Sequence, residues 1–428
     1  MLKISSEHFI YVTYITEQMN FPYFIVLNIF SATIFFAFCA WLYFFLYLIK
    51  SLKQSPRLEE SKKYNINNNI NNYPKVSIIV PALDEENNIS KCLDNLLDQD
   101  YHNFEIVAVN DSSSDMTGEI MQAYMKSNPK RISVITANPK PVDWIGKNWA
   151  CYQGYLNATG EIFVFVDADT IMCSPSVISL AVSYLVEEKL DALTGRPNIL
   201  AHNIWTKITL PILWTFSHVK YSALCVNNAR SKSSYLFGCF YLINRKTYES
   251  IGTHKAVKDE IVEDVALGKK IKQQKFKLKM VRAEDQITTL MTGNFMSLRE
   301  GLKRSINLIP LSHKNVTNIS VVFLLLLEPF ILFPFSCHSL LTHYENLSNV
   351  LFAINIMTIV LIFSINAIQL ASGLLLNPIY ALLCPIACVL VSISFISFII
   401  KARCGGVIKW RGRAYIANRS VMKSCQSK

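Results

Sequence analysis

Acidic and small polar residues follow three short apolar stretches in the middle of the sequence. Residues 76–80, 104–109 and 162–166 are rich in Val, Ile and Phe, a composition that indicates buried strands. Acids and serines also cap helices and form turns, which explains any single cluster at least as well as a function does. Three clusters that converge on one edge of a sheet favour a binding site. The polar clusters are Asp84-Glu85-Glu86, Asn110-Asp111-Ser112-Ser113-Ser114-Asp115 and Asp167-Ala168-Asp169.

Asp167 and Asp169 are two carboxylates separated by a single residue. Like charges this close repel each other, and a hard divalent cation relieves that repulsion. Mg²⁺ and Mn²⁺ favour a few carboxylates together with substrate phosphates. An isolated Asp-x-Asp is common and therefore a weak signal, but at a strand end it predicts a cation that neutralises a diphosphate leaving group.

A further acidic pair, Glu263-Asp264, precedes a Lys-rich segment over residues 269–279. Acids at the start of a helix interact favourably with its dipole and need no chemical role. A carboxylate beside a bound donor can instead remove a proton from an acceptor hydroxyl, so the pair is also a candidate general base.

Helical patterns separate the predicted strands. Ile89, Cys92, Leu93, Leu96 and Leu97 repeat at helical spacing and form one apolar stripe. A second helix is predicted to begin at Ser174-Pro175, with its apolar face over residues 177–185. Strands alternating with helices predict an α/β domain with a mostly parallel sheet, whose ligands bind at the carboxyl ends of the strands.

The two ends of the chain have a different composition from this domain. Overall, 51% of the residues are hydrophobic and 17% are charged, which excludes a purely soluble protein. Basic residues gather beside the apolar runs, so the formal charge of +11 is explained by membrane flanks, and nucleic-acid binding is disfavoured. The apolar runs cover residues 21–49, 319–341, 349–376 and 379–400.

The predicted organisation is a catalytic domain held between membrane segments. The catalytic domain and the basic tail are both expected on the cytoplasmic side of the membrane. Three crossings between them would instead place the tail on the outer side. Glu328, Pro329 and Pro334 interrupt the run over 319–341, so that run is interpreted as re-entrant or interfacial. The predicted parts are a transmembrane anchor over residues 1–50, an Asn-rich linker over 51–74, the catalytic domain over 75–310, membrane segments over 311–400 and the tail over 401–428.

The order of these motifs resembles the family-2 glycosyltransferases with a GT-A fold, over residues 76–310. The resemblance rests on Ser77 to Glu86 (SIIVPALDEE), Asn110 to Asp115, the Asp-Ala-Asp motif, Gly238 and Glu263-Asp264. Three further motifs resemble the membrane-anchored glycosyltransferases associated with hopanoid and carotenoid biosynthesis. They are Trp144-Ile145-Gly146-Lys147-Asn148-Trp149-Ala150, Arg299-Glu300-Gly301-Leu302-Lys303-Arg304 and Trp410-Arg411-Gly412-Arg413-Ala414-Tyr415.

The resemblance implies a role for each matching residue. Asp167 and Asp169 would hold Mn²⁺ or Mg²⁺ and the diphosphate, and Asp264 would be the base with Glu263 beside it. Lys147 would face the donor phosphates, although on sequence alone it is as well explained as a solvated loop lysine. Asp84 stands where Asn is usual and Asn110 replaces the first Asp of a common pair, which leaves the nucleotide preference open. The residues implied to surround the nucleotide are Pro81, Asp84, Glu85 and Asp111.

The resemblance implies a membrane-bound inverting glycosyltransferase that moves a single sugar from a nucleotide-sugar to a lipid-like acceptor at the cytoplasmic face. One alternative is a processive polysaccharide synthase, although the Gln-x-x-Arg-Trp motif of such enzymes is absent. Another is a non-catalytic membrane protein that binds nucleotide-sugar. Residues 210–219 are interpreted either as an interfacial segment that admits a lipid or as a core helix. Arg299, Lys303 and Arg304 would contact phosphate or lipid headgroups.

Overall fold

The computed structural model of this chain describes residues 6–59, 73–291, 313–342, 346–403, 407–410 and 413–416. Its strands are β1 (Val76–Ala82), β2 (Phe104–Asn110), β3 (Ile132–Thr136), β4 (Ile162–Val166), β5 (Thr170–Met172), β6 (Ala192–Arg196), β7 (Asn198–Ala201), β8 (Phe240–Asn244), β9 (Leu278–Arg282), β10 (Ile287–Met291), β11 (Val407–Trp410) and β12 (Arg413–Ile416). Its helices are α1 (Ser6–Gln54), α2 (Ile89–Leu97), α3 (Thr117–Ser127), α4 (Gly146–Asn157), α5 (Val177–Glu187), α6 (Ile204–Tyr221), α7 (Ala223–Asn227), α8 (Arg245–Ser250), α9 (Glu263–Gln273), α10 (His313–Thr342), α11 (Asn346–Gly373) and α12 (Cys384–Arg403).

The central domain is built on a seven-stranded sheet in the order β3-β2-β1-β4-β8-β6-β9. Neighbouring side chains of β1 point to opposite faces, so Ile78 joins one hydrophobic core and Ile79 joins the other. Helices α2 and α5 contribute to the first core, and α4 and α9 contribute to the second. The predicted α/β class is confirmed.

Most of the sheet is parallel, with one reversed strand. β1 pairs in parallel with β2 and with β4, whereas β8 runs antiparallel to β4 and to β6. Phe240, the first residue of β8, therefore lies opposite Val166, the last residue of β4. This reversal brings Gly238, two residues before β8, to the carboxyl edge of the sheet beside Asp167.

Four helices are long and apolar enough to cross a membrane, within residues Asn28–Gln54, Val321–His338, Leu347–Gly373 and Pro378–Ser397. α1 continues to Gln54, and Leu58 is fully buried in a core of the central domain. The first residues of the expected linker therefore pack against the domain, and its Asn-rich part lies outside the described residues.

The apolar run over residues 319–341, for which a re-entrant or interfacial segment is predicted, forms a single helix. α10 contains Pro329 and Pro334 and is 30 residues long. Pro329 has no N–H to donate to the carbonyl of Leu325. The indole Nε1 of Trp41 in α1 donates to that carbonyl instead, at 2.9 Å, so a tertiary contact satisfies the group that the proline leaves open.

Helices α10 and α11 pack antiparallel. Phe330 contacts Phe363, and Asn355 donates to the Ser336 hydroxyl at 3.2 Å, so residue numbers rise in one helix as they fall in the other. This pairing places Phe323 opposite the segment around Asn366.

The last helix lies across this pair. Asn366 contacts the Cys384 sulfur at 3.3 Å, and the ring centroids of Phe323 and Phe395 are 4.9 Å apart. Cys384 and Phe395 are about 16 Å apart along α12, at 1.5 Å per residue. Their contact partners, Asn366 of α11 and Phe323 of α10, nevertheless lie opposite each other in the α10–α11 pair. These two contacts favour a direction of α12 that is oblique to α10 and α11.

Helix α6 contains residues 210–219 and lies between the central domain and the bundle formed by α1, α10, α11 and α12. Gln369 donates to the Thr215 hydroxyl at 2.8 Å, and the His218 imidazole is 3.0 Å from the Ser51 hydroxyl at the end of α1. Ile208 and Ile212 pack in the same cluster as residues of α1, α10, α11 and α12. Residues 210–219 are predicted to form either an interfacial segment or a core helix. They belong to a helix that packs against the domain-side ends of α1 and α11.

Candidate active site

The polar clusters after β1 and β2 contact each other at the carboxyl edge of the sheet. Asp84 accepts a hydrogen bond from the Ser114 amide at 2.7 Å, and the Glu85 amide donates to the Thr117 hydroxyl at 2.7 Å. Asp84 has φ +53°, a left-handed conformation that Asp tolerates better than most residues. Asp111 is buried, and its amide donates to the carbonyl of Ala82 at 2.9 Å. Four of the residues assigned to the nucleotide, Pro81, Asp84, Glu85 and Asp111, therefore lie on two adjacent strand ends.

Lys147 lies at the centre of a second group. Its ammonium is 2.8 Å from a carboxylate oxygen of Asp167 and 3.0 Å from one of Glu263. Burial alone would lower the pKa of Lys147, but the charges of Asp167 and Glu263 raise it well above its ordinary value. The lysine is therefore held as a cation and is not a freely solvated loop residue.

The position of Lys147 follows from the way α4 begins. The Ile145 amide donates to the carbonyl of Lys258 at 2.8 Å, and the buried Asn148 amide group donates to the carbonyls of Val257 and Glu260. These contacts join the first turn of α4 to the segment before α9. They bring Lys147 to the carboxylates at the start of α9.

Asp264 is fixed by two backbone amides. The Gly238 N–H donates to one carboxylate oxygen at 2.9 Å, and the Val265 N–H donates to the other at 2.7 Å. A Cβ on Gly238 would lie 2.9 Å from the Asp264 carboxylate and 3.0 Å from the Lys147 nitrogen. A larger residue at this position would displace one or both of these side-chain ends.

Burial and the neighbouring charge of Glu263 raise the pKa of Asp264 to about 7. An acid with a pKa near neutrality can both accept and release a proton at physiological pH. Glu263 itself is buried and paired with Lys147, so the two adjacent acids have different surroundings. Asp264 is therefore the acid with the raised pKa that is suited to accept a proton.

Asp169 lies beside Asp167 but makes different contacts. The Thr289 hydroxyl of β10 is 3.4 Å from its carboxylate, and the Leu290 amide donates to its carbonyl at 3.0 Å. Within the described ranges, no group of three or more His, Cys, Asp or Glu residues is arranged to hold a metal ion. Two nearby carboxylates fit Mg²⁺ or Mn²⁺ only where substrate oxygens complete the coordination.

The same edge of the sheet carries the contacts to the apolar helices α1 and α11. β6 and β9 end there in Arg196 and Arg282, which are register partners. Arg282 donates to the carbonyl of Leu52 at the end of α1, at 3.3 Å, and to that of Ser372 at the end of α11, at 2.9 Å. Both arginines pair with buried Glu284. The carboxylate group and the domain-side ends of α1 and α11 thus share one edge.

Sequence reasoning missed several of these residues. Thr117 and Arg282 act through contacts with residues distant in the sequence, and no local pattern singles them out. Gly238 and Asn148 belong to the motifs of the resemblance, but those motifs predict a role for neither. Conversely, the basic residues Arg299, Lys303 and Arg304 lie outside the described residues, as do Arg411 and Gly412 of the last motif.

Residues 77–252 match the family described as Glycosyl transferase family 2. The 4,4'-diaponeurosporenoate glycosyltransferases of two Staphylococcus aureus strains, RF122 and USA300, are 25% identical to the chain over 232 residues. The match covers 54% of this chain and 60% of each relative, so the chain spans less than two thirds of their length.

Two solved structures have low overall similarity to the chain. A mannosyltransferase from Pyrobaculum calidifontis, solved with GDP-Man and Mn²⁺, is 15% identical with a TM-score of 0.47, covering 86% of this chain and 99% of that one. Glucosyl-3-phosphoglycerate synthase from Mycobacterium tuberculosis is 17% identical with a TM-score of 0.37, covering 58% of this chain and 81% of that one.

Proposed function

We propose that the chain is a family 2 glycosyltransferase with a GT-A catalytic domain, and that it transfers one sugar from a nucleotide-sugar to a lipid-like acceptor at the membrane surface. One observation carries the proposal. The edge of the sheet that holds Lys147, Asp167 and Asp264 is also the edge at which Arg282 contacts the ends of α1 and α11. A site held there reaches an acceptor that stays in the bilayer, where confinement raises its local concentration.

The donor lies across the ends of β1, β2 and β4. Asp84, Glu85 and Asp111 surround the base and ribose, with Pro81 at the end of β1 beside them. Lys147 faces the phosphates. Its ammonium lies between the carboxylate of Asp167, after the end of β4, and that of Glu263, at the start of α9, and it can exchange one of them for a phosphate oxygen. Asp167 and Asp169 would hold Mn²⁺ or Mg²⁺, which when bound neutralises the departing diphosphate.

The acceptor oxygen attacks the anomeric carbon while the bond from that carbon to the diphosphate breaks, which inverts the configuration. Asp264 takes the acceptor proton, with its carboxylate held by the amides of Gly238 and Val265. Because the pKa of Asp264 is raised to about 7, the carboxylate form increases as the pH rises through neutrality, and activity should rise with it.

The acceptor is proposed to be a carotenoid-like lipid, since the relatives are named as diaponeurosporenoate glycosyltransferases. That name describes a carboxylate acceptor, whereas a hydroxyl suits this site better. A further carboxylate would meet the negative charges of Asp167, Glu263 and Asp264, which Lys147 and a bound Mn²⁺ or Mg²⁺ would already have to compensate. A hydroxyl brings no charge and supplies the proton that a base must remove.

The catalytic domain and the basic tail over residues 401–428 are proposed to lie on the cytoplasmic side of a multi-pass membrane protein. The basic residues beside the apolar runs support that side. The oblique direction of α12 supports the placement of the tail, because α1, α10 and α11 then supply the crossings.

The test is transfer from a panel of nucleotide-sugars to a total lipid extract of the source cells, using the full chain with Mn²⁺. We expect one lipid to gain the mass of a single sugar, and excess EDTA to stop the reaction. A ladder of products would favour a processive synthase, and transfer to water-soluble acceptors alone would contradict the lipid acceptor. Donor binding without any turnover would identify a non-catalytic binding protein.

A further inference from the structure

Lys147 contacts the same carboxylate that is proposed to bind the metal ion. Its ammonium is 2.8 Å from Oδ1 of Asp167 and 3.0 Å from Oε1 of Glu263. The two carboxylates differ in their access to solvent, since the side chain of Asp167 is 30% exposed and that of Glu263 is 7% exposed. The lysine therefore joins a buried acid to an acid that a dissolved cation can reach.

The backbone of Lys147 is fixed, whereas its side chain is able to move. Asn148, the next residue, is buried and donates to two backbone carbonyls of the segment before α9, at 2.7 and 3.0 Å. Lysine carries its charge at the end of a flexible four-carbon stem, with three rotatable donors. The ammonium can thus leave Asp167 and keep its contact with the buried Glu263 without any movement of α4.

An ammonium and a divalent cation compete for one carboxylate. Both are attracted by the negative charge of Asp167, and the two cations repel each other when they share its oxygens. Lys147 already supplies that carboxylate with a positive charge at 2.8 Å, so a metal ion gains less there than at an unpaired carboxylate. The ion pair between Lys147 and Asp167 therefore weakens metal binding by Asp167.

A diphosphate relieves this competition. Mg²⁺ and Mn²⁺ in proteins favour a few carboxylates together with substrate phosphates, and a lysine ammonium binds phosphate as a point charge. A donor at this edge of the sheet gives Lys147 a new anionic partner and gives the metal ion additional oxygen ligands. Both effects favour the transfer of the Asp167 carboxylate from the lysine to the metal ion.

We propose that Lys147 is an internal competitor for the divalent cation, which it excludes from Asp167 until a nucleoside diphosphate group draws the ammonium away. Metal and donor then bind as a pair, and each raises the affinity for the other by the same factor. The inference deepens the proposed function and rests on it, because it takes Asp167 as a ligand of the metal ion that neutralises the diphosphate.

The first test needs no variant. Equilibrium dialysis of the full chain in detergent measures bound Mn²⁺ at fixed free Mn²⁺, alone and with UDP, GDP, ADP, CDP or dTDP. We expect at least one of these nucleotides to tighten Mn²⁺ binding by about tenfold or more. Mn²⁺ affinity that is the same with and without every nucleotide would overturn the proposal.

The second test assigns the competition to Lys147. Lys147→Met removes the charge and keeps an unbranched side chain, so Mn²⁺ without nucleotide should bind about tenfold tighter than to the wild type. A purely structural lysine predicts the opposite, because loss of its ion pairs would disorder the carboxylates and weaken Mn²⁺ binding. Lys147→Arg keeps the charge and should bind Mn²⁺ as the wild type does. Wild-type or weaker Mn²⁺ binding by Lys147→Met would refute the competition.

Two controls locate the effect. Lys258→Met removes a lysine that pairs with Asp143, an exposed pair outside the group around Lys147, and it should leave the Mn²⁺ affinity unchanged. Asp167→Asn, added to Lys147→Met, should abolish the gain. A gain that persists without the Asp167 carboxylate would contradict the proposal, because the metal ion would then bind elsewhere.

These outcomes are separate from those of the proposed function. Sugar transfer to a lipid, with Mn²⁺ binding that Lys147→Met does not tighten, would remove the competition and leave the function standing. Tighter Mn²⁺ binding by Lys147→Met, in a protein that transfers sugar to no lipid, would leave the competition standing and remove the function.

Discussion

The catalytic domain and the helix bundle use polar side chains in opposite ways. At the carboxyl edge of the sheet, the carboxylates of Asp167, Glu263 and Asp264 surround the ammonium of Lys147. Negative charge is therefore in excess, and the pKa of Asp264 is raised. In the bundle, polar groups complete individual backbone or side-chain bonds, as Trp41 does for Leu325 and Asn355 does with Ser336. Several charges that share one partner mark the region proposed to bind a ligand, whereas single polar contacts between neighbouring helices mark the region built for packing.

The arrangement of the bundle gives the largest, all-or-none prediction. If α12 lies across the bundle, the exposed Lys130 of the catalytic domain and Lys409 after α12 are on the same side of the membrane. Cysteines placed at 130 and 409, in a background without other cysteines, should both resist an impermeant thiol reagent in intact cells and both react after lysis. Labelling of 409 alone would show that α12 crosses.

Removing the central cation should have the largest effect on activity. Lys147→Met leaves three carboxylates without their shared partner and removes a donor to the phosphates, so kcat/KM should fall by about 100-fold or more. Lys147→Arg should retain part of the activity because it keeps the charge. Lys130→Met, on the exposed surface, serves as the control. Near-normal turnover in Lys147→Met would show that the carboxylates do not depend on this lysine.

A smaller change at the same site tests the anchoring of Asp264. Gly238→Ala places a methyl group 2.9 Å from the carboxylate, so we expect kcat to drop by about tenfold with little change in donor KM. Gly268→Ala is the matched control, because its nearest contact would be an ordinary 3.4 Å. Equal kinetics in both variants would mean that the Gly238 amide does not position the base.

The bundle should respond more mildly to loss of a single pairing. Trp41→Phe removes the donor to the Leu325 carbonyl beside Pro329, and the free energy of unfolding should fall by about 1 kcal/mol. Thermal unfolding in detergent measures this. Phe35→Leu, on the exposed face of the same helix, should have a smaller effect. An unchanged melting temperature for Trp41→Phe would indicate that another group, such as water, satisfies the carbonyl.

The two regions also differ in how far the sequence predicted them. The strand ends and their acids were predictable because a short apolar run followed by polar residues is a local pattern. The bridge from Lys147 to Asp167 and Glu263 was not, because it depends on the reversed direction of β8 and on Asn148 tying α4 to the segment before α9. In the bundle, apolar length predicted the helices. Apolar length did not predict that Trp41 donates to the carbonyl that Pro329 leaves without a partner, or that α12 is oblique. An apolar surface does not identify the helix that packs against it.

The central claim is that Asp264 removes the acceptor proton and does not bind the donor. Asp264→Asn keeps the shape and one of the two hydrogen bonds from backbone amides, so it should bind nucleotide-sugar with near wild-type affinity, measured by calorimetry, while transfer to the lipid acceptor falls by about 1000-fold. Glu263→Gln, which alters the partner of Lys147, should weaken donor binding as well. Transfer by Asp264→Asn at close to the wild-type rate, or a collapse of its donor affinity together with its turnover, would contradict the account.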